Sequence, residues 1–362
     1  MPEARVCMLD VARASGVSPA TVSRALRDDP RITEEVRQRV KSAAACLGYV
    51  PNPLVQALMS QRRRRTQPHE ETLALVTQEP ESAWKSKDVC RWYFRGIQER
   101  AEQLGFRVEV FSLEAMRHNP ARLFRVLQTQ GICGVILGFA REDAPITGQD
   151  LAPFSVVGLS TYFGTLPVDR AHLNGFYNVK LAIREMRAAG YKRPALVAPV
   201  RNNMVVGGQW SAAALDEQRQ RQPAEKCPPF MVEGPMMNVS HFRDWFERHR
   251  PDAILAYKER VTELLDRLRV RVPQDVGVAH LFGTEQERNS MAGIDGNLDR
   301  VGAAAVDLLV QKLHTNERGI PSHPRDVMIQ GTWKDGPTIR HSAVPAEKPR
   351  PQKAAAHPAS AR

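Results

Sequence analysis

The sequence predicts a small all-α helix-turn-helix domain followed by an α/β region of two doubly wound, parallel-sheet lobes. Three observations predict it. Between Leu9 and Leu47, apolar residues recur at helical spacing with polar or cationic residues between them. From Thr72 onward, short apolar runs alternate with helical patterns, the βαβα rhythm of parallel sheets covered by helices on both faces. At 362 residues the chain exceeds one typical domain and suits a small module joined to a bilobed one.

The first domain, residues 6–50, builds from three helices. Leu9-Asp10-Val11-Ala12-Arg13-Ala14-Ser15 reads as a short helix closed by Gly16. Ser18 then offers a side-chain oxygen as a cap, and Pro19 sits where a first-turn residue needs no N–H. Val22, Ala25 and Leu26 share one apolar face, whereas Ala20, Arg24 and Arg27 point the opposite way. Two short helices joined at a glycine turn, the second with a basic outer face, describe a helix-turn-helix that reads DNA. The blander use of such a pair is protein contact alone. A third helix follows, with Thr33 as cap, Glu34 and Glu35 at its positive end, and Val36, Val40, Ala44 and Leu47 at helical spacing before Gly48. Val11, Val17, Val22, Leu26, Val36, Val40 and Leu47 are the expected core.

Residues 51–60 read as a second helix start, with Asn52 as cap and Pro53 in the first turn, too short to be stable unaided in water. Residues 61–71 form a basic linker containing Arg62-Arg63-Arg64-Arg65, which suits phosphates or simply a solvated charge run. Charge placement agrees. Residues 1–66 hold twelve Lys/Arg against six Asp/Glu, about half of the net +11, and the tail after His341 adds four cations against one Glu. The middle is therefore near neutral, as a sensing region beside a polyanion-binding one should be.

The α/β region, residues 72–341, alternates in order. Apolar strands are expected at 73–76, 108–111, 134–137, 155–159, 195–198, 230–232, 253–256, 277–281 and 327–329. Helices are expected at 92–104, 121–130, 175–189, 209–220, 239–248, 259–268 and 300–314. Residues 342–362, rich in Pro, Ala and Lys/Arg, read as a disordered basic tail.

The run from Leu9 to Tyr49 resembles the DNA-binding headpiece of the LacI/GalR family of bacterial transcriptional regulators. Asp10-Val11-Ala12, Gly16-Val17-Ser18, Thr21-Val22-Ser23-Arg24 and Leu47-Gly48-Tyr49-Val50-Pro51-Asn52 carry the likeness. More loosely, Val168-Asp169, Ala188-Ala189-Gly190-Tyr191-Lys192-Arg193-Pro194-Ala195, Val272-Pro273-Gln274-Asp275-Val276-Gly277-Val278 and Gly293-Ile294-Asp295 resemble the family's periplasmic-binding-protein-like (type I) sensor. The resemblance implies a homodimer on a near-palindromic operator in double-stranded DNA, acting as a repressor. Pro19, Ala20 and Arg24 would read bases, although Pro19 also simply starts its helix and Arg24 also suits a phosphate or a salt bridge. Ser18, Thr21, Ser23, Arg27, Arg31, Thr33 and Asn52 would meet phosphates, with Thr21 equally suited to a bond inside the turn. Residues 51–60 would be the hinge helix, with Leu58 as its minor-groove wedge or an ordinary linker apolar.

The sensor half departs from the pattern of sugar-binding members. Where those carry an Arg, an Asn-Asp and a later Asp, this chain has Val206, Tyr257-Lys258 and Phe282. A buried ligand hydroxyl without a partner costs about 1–3 kcal/mol, so a sugar fits poorly. Two readings stay open: a different, less polar effector in the inter-lobe cleft, or a cleft that takes no small molecule. Trp84, Trp92, Tyr93, Tyr162, Asp169, Asn203, Trp210, Tyr257 and Phe282 are the pocket candidates.

Other classes find little footing. The chain has no G-x-G-x-x-G, P-loop, G-x-S-x-G or H-E-x-x-H, so neither an enzyme nor a cofactor is expected. Ten His lack metal spacing, and five scattered Cys without C-x-x-C pairs argue for reduced thiols and no zinc. No apolar run reaches bilayer length and no signal core is visible, so a cytoplasmic protein without a membrane partner is expected. A DNA-bending architectural protein without ligand control is the rival reading.

Overall fold

The computed structural model describes residues 8–26, 29, 31–47, 49, 71–78, 80, 82, 84, 88–138, 146–159, 166–219, 221–234, 238–257, 260–283 and 289–340. The hinge segment 51–60, nearly all of the linker 61–71 and the tail 342–362 lie outside the described residues, and with them Asn52 and Leu58. So do Arg27, Tyr162 and Lys258.

Three helices open the chain: α1 (Met8–Ser15), α2 (Pro19–Ala25) and α3 (Glu34–Cys46). Gly16 takes φ +65° between the first two, a left-handed turn residue that a side chain would strain. Val11, Ala12, Val22, Ala25, Val40 and Ala44 form the buried centre, with Met8, Val17, Leu26, Ile32, Val36, Ala43 and Tyr49 packed around it. Leu47 departs from the expected core. It is the C-cap residue of α3 and is exposed, one turn beyond Ala44, the last buried residue of that helix. Alanines at the crossings take the space instead, letting three short helices approach closely. Thr33 stands at the cap position of α3 without a side-chain cap bond.

The remaining elements run β1 (Glu71–Thr77), α4 (Asp88–Gln103), β2 (Phe106–Ser112), α5 (Pro120–Thr129), β3 (Gly134–Leu137), α6 (Gly148–Leu151), β4 (Ser155–Leu159), β5 (Asp169–Leu173) and α7 (Gly175–Ala188). They continue with β6 (Pro194–Pro199), α8 (Val200–Val205), α9 (Gln209–Arg219), β7 (Phe230–Val232), α10 (Val239–His249), β8 (Ala253–Ala256) and α11 (Arg260–Arg267). Last come β9 (Gly277–His280), β10 (Ala292–Asp295), α12 (Leu298–Thr315), β11 (Asp326–Ile329) and β12 (Thr332–Lys334). The chain divides into two compact units: Met1–Gly175 with Met204–Gly208 and Gly296–Gly331, and Phe176–Asn203 with Gln209–Asp295 and Thr332–Arg362.

Each unit holds one sheet. The first lobe orders its strands β11-β5-β4-β3-β1-β2, and every neighbouring pair is parallel. In the second, the order is β12-β10-β9-β8-β6-β7, parallel except where β12 runs against β10. Both are doubly wound, with the strand order reversing between β1 and β3 and between β6 and β8. The predicted strands and helices are present, their ends shifted by a few residues. Reading by apolar runs missed β5, β10 and β12. β5 spells Asp-Arg-Ala-His-Leu, and its place is decided by neighbours rather than by its own hydropathy.

Burial in the first lobe is deep: every residue of β3 and β4 is buried, the pattern of strands covered on both faces. The long α12 packs on α4 and on β3, β4 and β5. At the helix crossing no side chain intervenes. A Cβ added at Gly96 would collide with the carbonyl of Asp299, and one at Gly302 with the carbonyl of Tyr93. Gly96→Ala is therefore expected to push α4 off α12 and cost about 1–3 kcal/mol, read as a lower urea midpoint. Gly302→Ala should do the same, and the pair should cost less than the two costs added, since both act on one contact. Unchanged midpoints would contradict the close crossing.

Candidate nucleic-acid interface

The outer face of α2 is built from its own start. Ser18 Oγ accepts from the Thr21 N–H at 3.2 Å and shares a 2.9 Å bond with Thr21 Oγ1, so the cap and a hydroxyl of α2 hold each other. Pro19 occupies the first helical turn, where its missing N–H costs nothing. Val22 and Ala25 turn inward, leaving Ser18, Pro19 and Ala20 exposed and Thr21, Ser23 and Arg24 half-buried. Ser18→Ala is expected to lower headpiece stability by about 1 kcal/mol, seen as a downward shift in thermal unfolding.

Arg24 is half-buried. Its Nε is buried and among the described residues that N–H has no hydrogen-bond partner, a condition it shares with Arg170, Arg187 and Arg221 in the lobes. Beyond the helix, Asp29 accepts three bonds from Arg31: Nε to Oδ1 at 3.0 Å, Nη2 to Oδ2 at 2.7 Å, and the backbone N–H to Oδ1 at 3.0 Å. These bonds, helped by the charges of Arg31 and Arg24, hold the Asp29 carboxyl well below the usual carboxylate range. Sequence reasoning placed Arg31 among the phosphate contacts and missed its partner. The Asp-x-Arg spacing was the available signal.

The pocket candidates separate by lobe. In the first, Trp84 is fully buried and its Nε1 donates to Thr77 Oγ1 at 2.8 Å, at the carboxyl end of β1. Its ring lies against Gly138, just past β3, where a Cβ would come within 2.7 Å of the indole. The indole thus fills the strand-order reversal of this lobe with the protein's own side chain. Trp92 is half-buried, with the Arg95 guanidinium 5.6 Å over its ring, and Tyr93 is buried on α4 beside Gly302. Asp169 corrects the expectation. Lys312 Nζ donates to its Oδ2 at 2.7 Å, Arg325 Nη2 to the same oxygen at 2.8 Å, and the Arg325 N–H to Oδ1 at 2.8 Å. Burial works to raise its pKa, but bonds from Arg325 and Lys312 outweigh it and the pKa is lowered. A carboxylate so occupied orders the lobe and offers a ligand nothing.

In the second lobe, the Asn203 amide is likewise spent, donating to Ser211 Oγ at 2.9 Å and accepting from the Ser211 N–H at 3.1 Å, which ties α8 to α9. Three other candidates do come together. Trp210 lies 5.2 Å from Tyr257, which stacks on Phe282 at 6.1 Å with planes 11° apart. Asn202 Nδ2 donates to the Tyr257 hydroxyl at 2.9 Å, a partner the sequence reading did not include. Tyr257 follows β8 and Phe282 lies beyond β9, so the stack stands at the carboxyl ends of parallel strands, where doubly wound sheets take their ligands. Among the described residues, no group of three or more His, Cys, Asp or Glu is arranged to hold a metal ion, and no helix is long and apolar enough to cross a membrane.

Residues 7–52 match the bacterial regulatory proteins of the lacI family, and residues 183–336 match the periplasmic binding protein-like domain. The HTH-type transcriptional regulator MalR of Streptococcus pneumoniae serotype 4 is 21% identical over 320 residues, spanning 86% of this chain and 94% of its own. Among solved structures, the transcriptional regulator CelR in its cellobiose complex aligns with a TM-score of 0.55 at 20% identity, over 92% of this chain and all of CelR. The lac repressor dimer bound to operator and the anti-inducer ONPF aligns with a TM-score of 0.52 at 20% identity, over 92% and 99% of the two chains. At such identities the structural likeness speaks to the fold, and the two domain matches in their order speak to the kind of protein. With a helix-turn-helix of the lacI type ahead of a periplasmic-binding-protein-like region, this chain belongs to the LacI family of DNA-binding transcriptional regulators.

Proposed function

We propose that the protein regulates transcription by binding, as a homodimer, a near-palindromic operator, with α2 of each copy in successive major grooves. The observation that carries this reading is the outer face of α2. Pro19 and Ala20 present small apolar surfaces suited to a thymine methyl, and the half-buried Arg24 on the same helix carries a guanidinium suited to guanine O6 and N7. Ser18, Thr21, Ser23, Arg27, Arg31, Thr33 and Asn52 then position the protein on phosphates, and Leu58 wedges into the minor groove. The lac repressor, similar in fold, was solved as a dimer on its operator, which supports the geometry. Selection of duplexes from a random pool by the full chain, followed by genomic footprinting, is the test. A motif with dyad symmetry is expected, and binding without sequence enrichment would overturn the proposal.

The regulatory input we propose is a flat, weakly polar small molecule received by the Trp210–Tyr257–Phe282 stack of the second lobe. Aromatic faces dominate there, and the polar groups a sugar needs are replaced by Val206, Tyr257 and Phe282. A panel of metabolites screened by thermal shift tests it, since a binder at 100 times its Kd stabilises by about 2.7 kcal/mol. The second reading, control without any small molecule, is favoured by Trp84, which already occupies the strand-order reversal of the first lobe. Silence across a broad panel would support that reading and sink the first.

A further inference from the structure

We propose that Asp29 is a positioning residue for DNA recognition, holding the Arg31 guanidinium as a pre-aimed phosphate clamp beside the reading helix. The inference rests on the reading of α2 as the DNA-contacting helix and deepens it. An acidic residue next to a DNA-binding surface is, by charge alone, unfavourable, because it repels the phosphates that cations must reach. Asp29 nevertheless lies in the loop that follows α2, and its geometry explains why.

Its carboxylate is largely covered, with 15% of the side chain exposed, whereas the Arg31 side chain is 74% exposed. The bond pair from Nε and Nη2 to the two oxygens is bidentate, which fixes the plane of the guanidinium as well as its place. Nη1 is left out of that grip and carries donors free of Asp29. An exposed arginine would otherwise lose much rotamer freedom on meeting a phosphate, and a held one has lost it beforehand. Asp29 is also anchored in the backbone. Its N–H donates to the Arg24 carbonyl at 3.1 Å, and its own carbonyl accepts from the Ile32 N–H at 3.0 Å. The clamp is therefore joined to the end of the reading helix at the residue proposed to read a base. Fixing one relative to the other couples phosphate register to base register, and that coupling is what raises specific over non-specific affinity.

Two views predict opposite results for Asp29→Asn. Removing a negative charge should tighten binding to every duplex equally if Asp29 acts only by charge. If it positions Arg31, the variant should bind a scrambled duplex as well or better, while the ratio of selected-operator to scrambled-duplex affinity falls about tenfold. The experiment measures both affinities for the full chain, wild type, D29N, R31A and the double variant, at one salt concentration. In the R31A background, Asp29→Asn should leave the ratio unchanged. Equal tightening on both duplexes, an unchanged ratio in D29N, or the same tenfold fall in the R31A background would each overturn the inference. Thermal unfolding separates loss of fold. If D29N melts the headpiece, Asp29→Glu, which keeps the charge and moves the acceptor by one methylene, carries the same comparison. A wild-type protein that does not distinguish the two duplexes would sink the DNA reading itself, and this inference with it.

Discussion

Replacing Lys312 with Ala is expected to destabilise the protein by about 3 kcal/mol and to make the remaining stability more sensitive to acid. Lys312 lies on α12 and Asp169 at the start of β5, and their side chains are 1% and 0% exposed. Two charges so far from water are tolerated because they meet each other and because Arg325 supplies a second cation to the same carboxylate. Removing the lysine leaves the carboxylate buried with one cation fewer, on a strand whose sequence alone would not hold it in the sheet. The retained Arg325 contact keeps the expected cost at the lower end of the range for broken buried pairs.

The sign of the pH effect follows from the lowered pKa of Asp169. In the wild type this carboxylate contributes stability above the ordinary carboxylate range and loses it as pH falls through its lowered folded value. Without Lys312 the folded pKa rises, so the loss begins at higher pH. Urea midpoints at neutral pH and in mild acid measure both effects. A variant with an unchanged midpoint at both would contradict the account, and replacing both partners by apolar residues of similar size should recover part of the loss.

Arg24→Ala is expected to abolish discrimination at one symmetric base pair per half-site, a loss of about 1–3 kcal/mol between right and wrong bases. Wild type and variant would be compared on the selected operator and on the three duplexes altered at that pair. The variant should bind all four alike while other positions stay selective. A uniform drop that preserves the base preference would assign Arg24 to a phosphate instead. Arg27→Ala should weaken every duplex equally and flatten the dependence on salt.

The headpiece was legible because its signals are local. A cap at Ser18, a proline at Pro19, a glycine at Gly16 and apolar residues at helical spacing each act within a few residues, and the structure realises all four. Leu47 failed because spacing does not reveal where a helix stops facing its neighbours. In the lobes, apolar strands such as β3 and β4 announced themselves, whereas β5 did not. Its first residue, the buried Asp169, is satisfied by α12 and the segment before β11, well over a hundred residues away in sequence. The pocket candidates divide along the same line. Composition marked Trp84, Asp169, Asn203 and Tyr257 alike, and only their neighbours separate a ring resting on Gly138, a carboxylate in an ion cluster, an amide tied to Ser211 and a stacked platform.

From sequence alone came the family resemblance, the βα rhythm and the helix expected to read DNA, because capping, periodicity and charge placement are properties of adjacent residues. Tertiary structure decided which buried charges pair and which aromatics meet. Those outcomes depend on the desolvation of particular atoms and on the partners within reach. Both are set by how distant segments pack.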